Sequence, residues 1–330
     1  MFRLAIAATF AACAIAAALN GAEAQTARSH AIMLVVPFPA GGPTDAIGRI
    51  VAEGLQSALG QTVIVENAPG ATGSIGTGKV ARSEADGLTL ILGTVATHVF
   101  NGAAYPLKYD VVKDFEPISL VAFDPQIIAV KKALPFTDLT QLIGWLKANP
   151  DKATAGTAGP GSTSHVIAVK FQALTGTQFR FIPYRGLGPA MQDLVAGHID
   201  ILFDLAANSV PQIRADTIKA LAVTSGSRLA SAPEVPTVDE AGLRGFYFVN
   251  WHAIWAPRGT PADVTTRLNS AVRTMLADQE TLKRLASIGQ QIPSLERQTP
   301  QALATYQREE IEKWWPVIKA ANIRAELNHR

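Results

Sequence analysis

Short apolar runs alternate with helix-length patterns along most of this chain, and two of the extended runs are long enough to pass between domains. Strand-like runs fall at 32–37, 62–65, 88–92, 118–123, 127–130, 179–183, 199–203, 220–224 and 246–256. Between them lie helical patterns at 46–59, 74–82, 139–148, 164–175 and 189–196. Such βαβα alternation argues for an α/β fold, with parallel sheets covered by helices on both faces. From residue 261 onward the pattern is nearly all helical, and Thr260-Pro261-Ala262-Asp263 reads as a capping box. The run 116–130 is broken only by Asp124-Pro125, and the run 245–257 carries Trp251 and Trp255. If both cross between two α/β lobes, the chain leaves the first lobe and later returns to it. That gives a hinged, bilobed molecule with ligand held between strand ends. The expected division is 25–122 with 250–330 as lobe 1 and 123–249 as lobe 2. One large sheet with a helical tail is the simpler alternative.

The first 24 residues stand apart from that fold. Arg3 precedes an apolar, alanine-rich run at 4–19, and Ala22-Glu23-Ala24 ends in the small-x-small pattern that signal peptidase cleaves. The run is short for a bilayer span, so the expectation is export with cleavage after Ala24. A lipoprotein reading through Cys13 would leave 14–19 attached to the mature chain and fits the downstream cleavage site less well. Cys13 is the sole cysteine, so the mature chain has no disulfide, thiol nucleophile or zinc–thiolate site. Removing Arg3 and Glu23 together leaves the net charge at +2, and no basic stripe is present, which argues against a nucleic-acid partner. The six histidines, at 30, 98, 165, 198, 252 and 329, show no metal-ligand spacing.

Three glycine- or proline-containing turns open helices. In Val35-Val36-Pro37-Phe38-Pro39-Ala40-Gly41-Gly42-Pro43-Thr44-Asp45 a buried strand runs into a turn, with a helix starting at Pro43. Bare amides at Gly41, Gly42 and Thr44 would form an electropositive cup for a carboxylate or phosphate, while Asp45 is placed to satisfy backbone donors. Many α/β turns of this kind bind nothing. Gly159-Pro160-Gly161-Ser162-Thr163-Ser164-His165 is the second turn, with Ser162 a natural N-cap and His165 either a general base or a structural residue. Tyr184-Arg185-Gly186-Leu187-Gly188-Pro189 is the third; Arg185 offers a fork for a carboxylate or is a solvated loop charge. Gly73-Ser74-Ile75-Gly76-Thr77-Gly78-Lys79 has the spacing of a phosphate-binding loop, but Val80 stands where Ser or Thr would hold magnesium. Its glycines are better explained by close packing on the loop after the first strand, or by further amides supplied to the same cup. Asp200 and Asp204 share one strand face by the two-residue period, with Asp204 at the strand end. Phe38, Phe203, Trp251 and His252 could line a cleft or fill lobe cores; Trp314-Trp315 suits core or a docking surface.

Further stretches fall in a recognisable order. They are Val65-Glu66-Asn67-Ala68-Pro69-Gly70, Ala85-Asp86-Gly87-Leu88-Thr89-Leu90, Tyr109-Asp110, Asp114-Phe115, Pro183-Tyr184-Arg185-Gly186 and Leu221-Ala222-Val223-Thr224-Ser225. Val235-Pro236-Thr237, Glu240-Ala241-Gly242 and Ala256-Pro257-Arg258-Gly259-Thr260-Pro261 continue the series. With the first two turns, this set resembles the Bug (TctC-like) receptors of tripartite tricarboxylate transporters over nearly the whole mature chain. The resemblance implies a type II periplasmic-binding-protein architecture: two three-layer α/β lobes, two crossover segments, and closure on a small organic carboxylate. It implies a periplasmic, non-enzymatic, monomeric receptor without cofactor, partnered by membrane permease subunits. Carried over residue by residue, it points to Phe38, Ala40, Gly41, Thr44 and Asp45, then Gly161, Ser162 and Thr163, with Asp204 across the cleft. Pro43, Pro160 and Asp216 depart from the family pattern, and the two prolines lack an amide donor. Two other functions compete: an exported serine hydrolase using Ser162 and His165, and a ligand-sensing receptor for a membrane kinase.

Overall fold

Strand order follows from how the chain travels. A computed structural model describes residues 31–324; the leader and its cleavage site lie outside the described residues. β1 (Ile32–Val36), β2 (Val63–Asn67) and β3 (Thr89–Thr94) are parallel, with β1 in the middle. The chain then enters β4 (Phe115–Lys131), a 17-residue strand that runs from the first sheet into the second. β5 (Thr154–Thr157), β6 (Arg180–Pro183) and β7 (Ile201–Leu205) form a second parallel group with β5 in the middle. β8 (Ile218–Val223) returns beside β4, and β9 (Val249–Pro257) runs back to the first group. The first sheet has the order β2-β1-β3-β9-β4 and the second β8-β4-β7-β5-β6. The molecule is a bilobed α/β protein.

Parallel pairing holds inside each βαβ group and gives way where the chain changes sheets. β4 goes out and β9 comes back, so they pair antiparallel along Phe115 to Pro125, and β3, β7 and β8 join them antiparallel as well. The two runs expected on either side of Asp124-Pro125 are one continuous strand. Pro125 is the last β4 residue paired with β9, and from Gln126 onward β4 pairs with β7. Proline cannot donate to a ladder, and here its missing N–H falls at the handover between partners. Register shifts at Pro117/Ser119 and Leu120/Ala122 bend the strand further.

Helices cover the sheets. α1 (Pro43–Leu59), α2 (Ser74–Ala81) and α3 (Asn101–Ala104, entered through a π-turn at Ala96–Phe100) follow the first three strands. α4 (Leu139–Ala148), α5 (Thr163–Thr175), α6 (Leu187–Val195) and α7 (Ala206–Arg214) belong to the second sheet. α8 (Ala262–Ala277), α9 (Gln279–Ser287) and α10 (Pro300–Ala320) complete the chain. Ile47, Val51 and Leu55 of α1 pack with Leu268, Val272 and Met275 of α8 on Leu34, Leu90 and Ile254 of the first sheet. On its other face Val35 and Ile91 join a core that holds Trp251, Trp255 and Trp314. The expected capping box does not form: Pro261 is itself the N-cap of α8, and Thr260 Oγ donates to Pro257 O at 2.8 Å. Asp138, Asp278 and Thr299 do cap α4, α9 and α10 through their side chains.

The glycines of the 73–79 stretch serve contact. A Cβ at Gly73 would fall 2.6 Å from Thr97 Cγ2 and 3.2 Å from Pro37 O, and one at Gly76 would fall 2.6 Å from Ala68 O. Lys79 pairs with Glu66. This segment is packed onto the loop after β1.

Candidate functional site

After Val36 the chain turns and α1 opens at Pro43, a residue suited to a first helical position because that N–H has no helical partner. Asp45 is buried and accepts four hydrogen bonds: Gly41 N at 2.9 Å, Arg49 Nε at 3.0 Å, Arg49 Nη2 at 3.1 Å and Asn67 Nδ2 at 2.9 Å. Asn67 Nδ2 also donates to Phe38 O at 3.1 Å. The carboxylate therefore ties the loop to its own helix and to the end of β2. Burial pushes its pKa up, but these bonds and the Arg49 charge outweigh burial and hold it below the usual carboxylate range. The expected amide cup shrinks accordingly. Gly41 N is taken by Asp45 and Gly42 N reaches Pro39 O at 3.4 Å, which leaves the Thr44 amide, a first-turn donor without a helical acceptor. Thr44 Oγ lies 3.2 Å from Nε2 of His252, a ring kept neutral by burial, which lowers its pKa to about 3.

The loop after β5 supplies the second opening. Gly161 has φ +75°, and a Cβ there would fall 3.0 Å from that of Ala104, so left-handed backbone and close approach coincide. Ser162 caps α5, its Oγ accepting from His165 N at 3.3 Å and lying 3.0 Å from Ser164 Oγ. His165 Nδ1 accepts from Gly161 N at 3.3 Å and its ring meets Phe181 edge-on. No bond joins that ring to the Ser162 hydroxyl, and among the described residues no carboxylate orients it. At the third opening, a Cβ on Gly186 would fall 2.8 Å from Pro39 Cδ and one on Gly188 3.2 Å from Gly41 O. The loops after β1 and β6 thus touch across the two sheets.

These openings surround one cavity, partly open to solvent. Gly42, Pro43 and Thr44 line it from α1, Ser162 and Thr163 from α5, and Leu187 from α6. Phe38, Pro39, Thr94, Ala96, Ala158, Leu205 and Asn250 complete the wall, and none of the lining residues carries a charge. Of the residues singled out from sequence, Phe38, Thr44, Ser162 and Thr163 are in the wall. Ala40 and Gly41 are exposed on the loop, Gly161 packs on Ala104 and Tyr105, and Arg185 is exposed with no partner among the described residues. Asp45 lies behind the loop. Asp204 likewise does not line the cavity: fully buried, it accepts from Ser209 Oγ at 2.6 Å and Asn208 Nδ2 at 3.1 Å in α7. Its neighbour Leu205 takes the cavity side instead.

The same one-residue offset recurs on β9. Trp251 packs in the core with Trp255 and Tyr306, as Phe203 packs with Phe171 and Phe179, while Asn250 lines the cavity. Asn250 and Thr94 were not picked out from sequence. Both sit inside strands, where only the register decides which face a residue shows. Asn250 is 1 % exposed, and neither its Nδ2 nor its Oδ1 has a partner among the described residues. Beside it in the ladder, Asp124 is fully buried and accepts from Ala207 N at 3.3 Å. Burial pushes the Asp124 carboxyl up to about 8, with the Asp204 charge adding to it, and pushes Asp204 up to about 7.

The loops after β3 and β5 also meet. Tyr105 OH donates to Pro160 O at 2.7 Å, and Thr72 Oγ lies 3.0 Å from the same oxygen and 2.7 Å from the tyrosine hydroxyl. Ala71 and Thr72 both have left-handed backbone, φ +46° and +51°. Side chains other than glycine pay for that conformation with strain, and Asn101 Nδ2 holds the Thr72 carbonyl at 2.9 Å. Among the described residues no cluster of three or more His, Cys, Asp or Glu could hold a metal ion, and no helix is long and apolar enough to cross a membrane.

Comparison with known proteins gives a consistent result. The family model described as the tripartite tricarboxylate transporter family receptor matches residues 47–323. A UPF0065 protein from the TAR-I ttuE-ttuC' intergenic region of Agrobacterium vitis is 39 % identical over 294 residues, covering 89 % of this chain and 85 % of the relative. The solved periplasmic binding protein BugD is 35 % identical with TM-score 0.85, the match covering 89 % of this chain and 99 % of BugD. MatC from Rhodopseudomonas palustris, solved with bound malate, is 35 % identical with TM-score 0.83, over 87 % of this chain and 98 % of MatC.

Proposed function

The chain belongs to the tripartite tricarboxylate transporter family of receptors, and from that premise we propose that its cavity captures a small organic carboxylate. One observation carries the proposal: three helix N-termini open on a single cavity whose wall has no charged side chain. Helix mouths carry partial positive charge and unpaired amides, so they stabilise an anion without a buried counter-ion. Each charge-assisted hydrogen bond nets only about 1.5–3 kcal/mol after desolvation. Several together support micromolar binding, about −8 kcal/mol. Thr44, Ser162 and Thr163 are the proposed ligand contacts, with Phe38 as apolar wall. Asp45, Gly161 and Asp204 set the shape of the loops behind them, and Ala40, Gly41 and Arg185 meet the ligand only as it enters.

In this reading 25–122 with 250–330 and 123–249 move as two bodies about the crossing strands. Ligand favours the closed arrangement over an open one, and the closed surface docks on membrane permease subunits. The protein acts as an exported monomer in the periplasm after cleavage behind Ala24. The bound malate of MatC supports the acid class. Hydrolase chemistry at Ser162 is not favoured, because His165 Nδ1 is engaged by Gly161 N. A thermal-shift screen of mono-, di- and tricarboxylates tests the proposal. An acid at 100 times its Kd adds about 2.7 kcal/mol, and silence across a broad acid library overturns it.

A further inference from the structure

The Asn250 amide is the feature of the cavity that helix mouths do not explain. It lies in the wall, is 1 % exposed, and has neither its donor nor its acceptor engaged among the described residues. Buried polar side chains are overwhelmingly hydrogen-bonded, so an amide left with both functions free is shaped for something that enters. Exchanging the two ends of the amide changes nothing, since both are free.

We propose that Asn250 selects acids carrying, besides the carboxylate, a group that both donates and accepts, namely a hydroxyl or a primary amide. This rests on the carboxylate reading of the cavity. An amide presents two donors and one acceptor side by side. A second ionised carboxylate only accepts, so against Asn250 it satisfies Nδ2 and leaves Oδ1 facing an anion. A methylene satisfies neither end. A hydroxyl or amide satisfies both, and no charged residue in the wall would reward an ionised group there instead. Discrimination of this kind is strong because the wrong ligand leaves a buried protein group unpaired.

The test is calorimetry with matched pairs of acids that differ by one polar group: succinate against malate, glutarate against 2-hydroxyglutarate, and butyrate against succinamate. The wild-type protein is expected to bind the hydroxylated or amidated member of at least one pair tenfold or more tighter. Asn250→Leu is expected to bring that pair within threefold while still binding the plain acid. Asn250→Thr, which keeps one hydroxyl and is less disruptive, is expected to fall between and supplies the answer if the leucine variant does not fold. Equal affinities within every pair for the wild type overturn the inference, as does an undiminished preference in either folded variant. If the wild type binds none of these acids nor any acid of the broader screen, the carboxylate reading fails with it. Binding of plain acids without preference overturns only the role of Asn250.

Discussion

The hydroxyl of Tyr105 donates to the carbonyl of Pro160 at 2.7 Å, although Tyr105 follows β3 of the first sheet and Pro160 follows β5 of the second. The bond spans the two halves beside the cavity and exists only while their loops are together. Tyr105→Phe should therefore penalise closure, leaving the Thr72 bond to the same carbonyl and removing within the first half only the Thr72–Tyr105 contact. A single neutral hydrogen bond nets about 0.5–1.5 kcal/mol, so ligand affinity should fall about two- to tenfold, with little change in the melting temperature of the unliganded protein. Calorimetry against the cognate acid checks this; equal affinities would show that the bond contributes nothing to closure.

Asp45 makes a different demand, because it holds the first loop together in any state of the cleft. Asp45→Ala leaves Gly41 N, Asn67 Nδ2 and the Arg49 fork without their acceptor. The expected loss is about 1–3 kcal/mol, read from the urea midpoint. Its pH dependence has a definite sign. The folded carboxyl is held below its ordinary value, so its contribution is present above the unfolded pKa of about 4 and lost as pH falls through the folded one. The gap between wild type and variant should accordingly narrow below about pH 4. A constant gap would mean that packing rather than charge is what the alanine removes.

Positions governed by local chemistry were legible in the sequence, and those governed by register were not. Pro43 and Ser162 mark helix openings because proline and serine have distinct uses at a first turn, and those openings do meet at one cavity, whereas the third helix, expected to open at Pro189, begins at Leu187. β5 was missed because Thr-Ala-Gly-Thr has no apolar run, although it is buried between β6 and β7. α7 was missed because Ala-Ala-Asn-Ser-Val-Pro lacks an amphipathic pattern and carries Pro211. Asp204 and Trp251 were each one residue away from the side chain that faces the cavity. A strand shows alternate residues to opposite faces, and a single sequence does not say which set faces the ligand.

Gly188 allows helix stability to be separated from closure. It lies in the first turn of α6, where alanine is the better helix former by up to about 1 kcal/mol. Yet a Cβ there would meet Gly41 O at 3.2 Å and Gly42 Cα at 3.4 Å, both backbone atoms of the opposing loop. Gly188→Ala should leave the unliganded melting temperature unchanged or slightly raised, while Gly188→Val weakens ligand binding tenfold or more by holding the loops apart. Full affinity in the valine variant would mean that the closed arrangement tolerates a wider gap than this one.

Asp124 and Asp204 set the opposite pH trend to Asp45. Both are fully buried near the strand crossing, and burial raises their pKa values to about 8 and about 7. Their neighbours are Ser209, Asn208, Gln290 and the amides of Ala206 and Ala207, with no cation among them. In the unfolded chain both carboxyls ionise near pH 4. Between there and about pH 8 the pair thus binds more protons in the folded state than in the unfolded state, and its contribution to stability falls as pH rises. The slope is at most about 1.4 kcal/mol per pH unit for each carboxyl. Because the two sites interact, they release protons as a pair rather than independently. His98 and His252, buried and neutral, give the opposite slope below about pH 6.5, so the melting temperature should drop only above about pH 7, and Asp204→Asn, which cannot ionise, should flatten that drop. A wild-type melting temperature that rises above that pH, or a variant that follows the same slope, would show that neither carboxyl is held neutral in the folded protein.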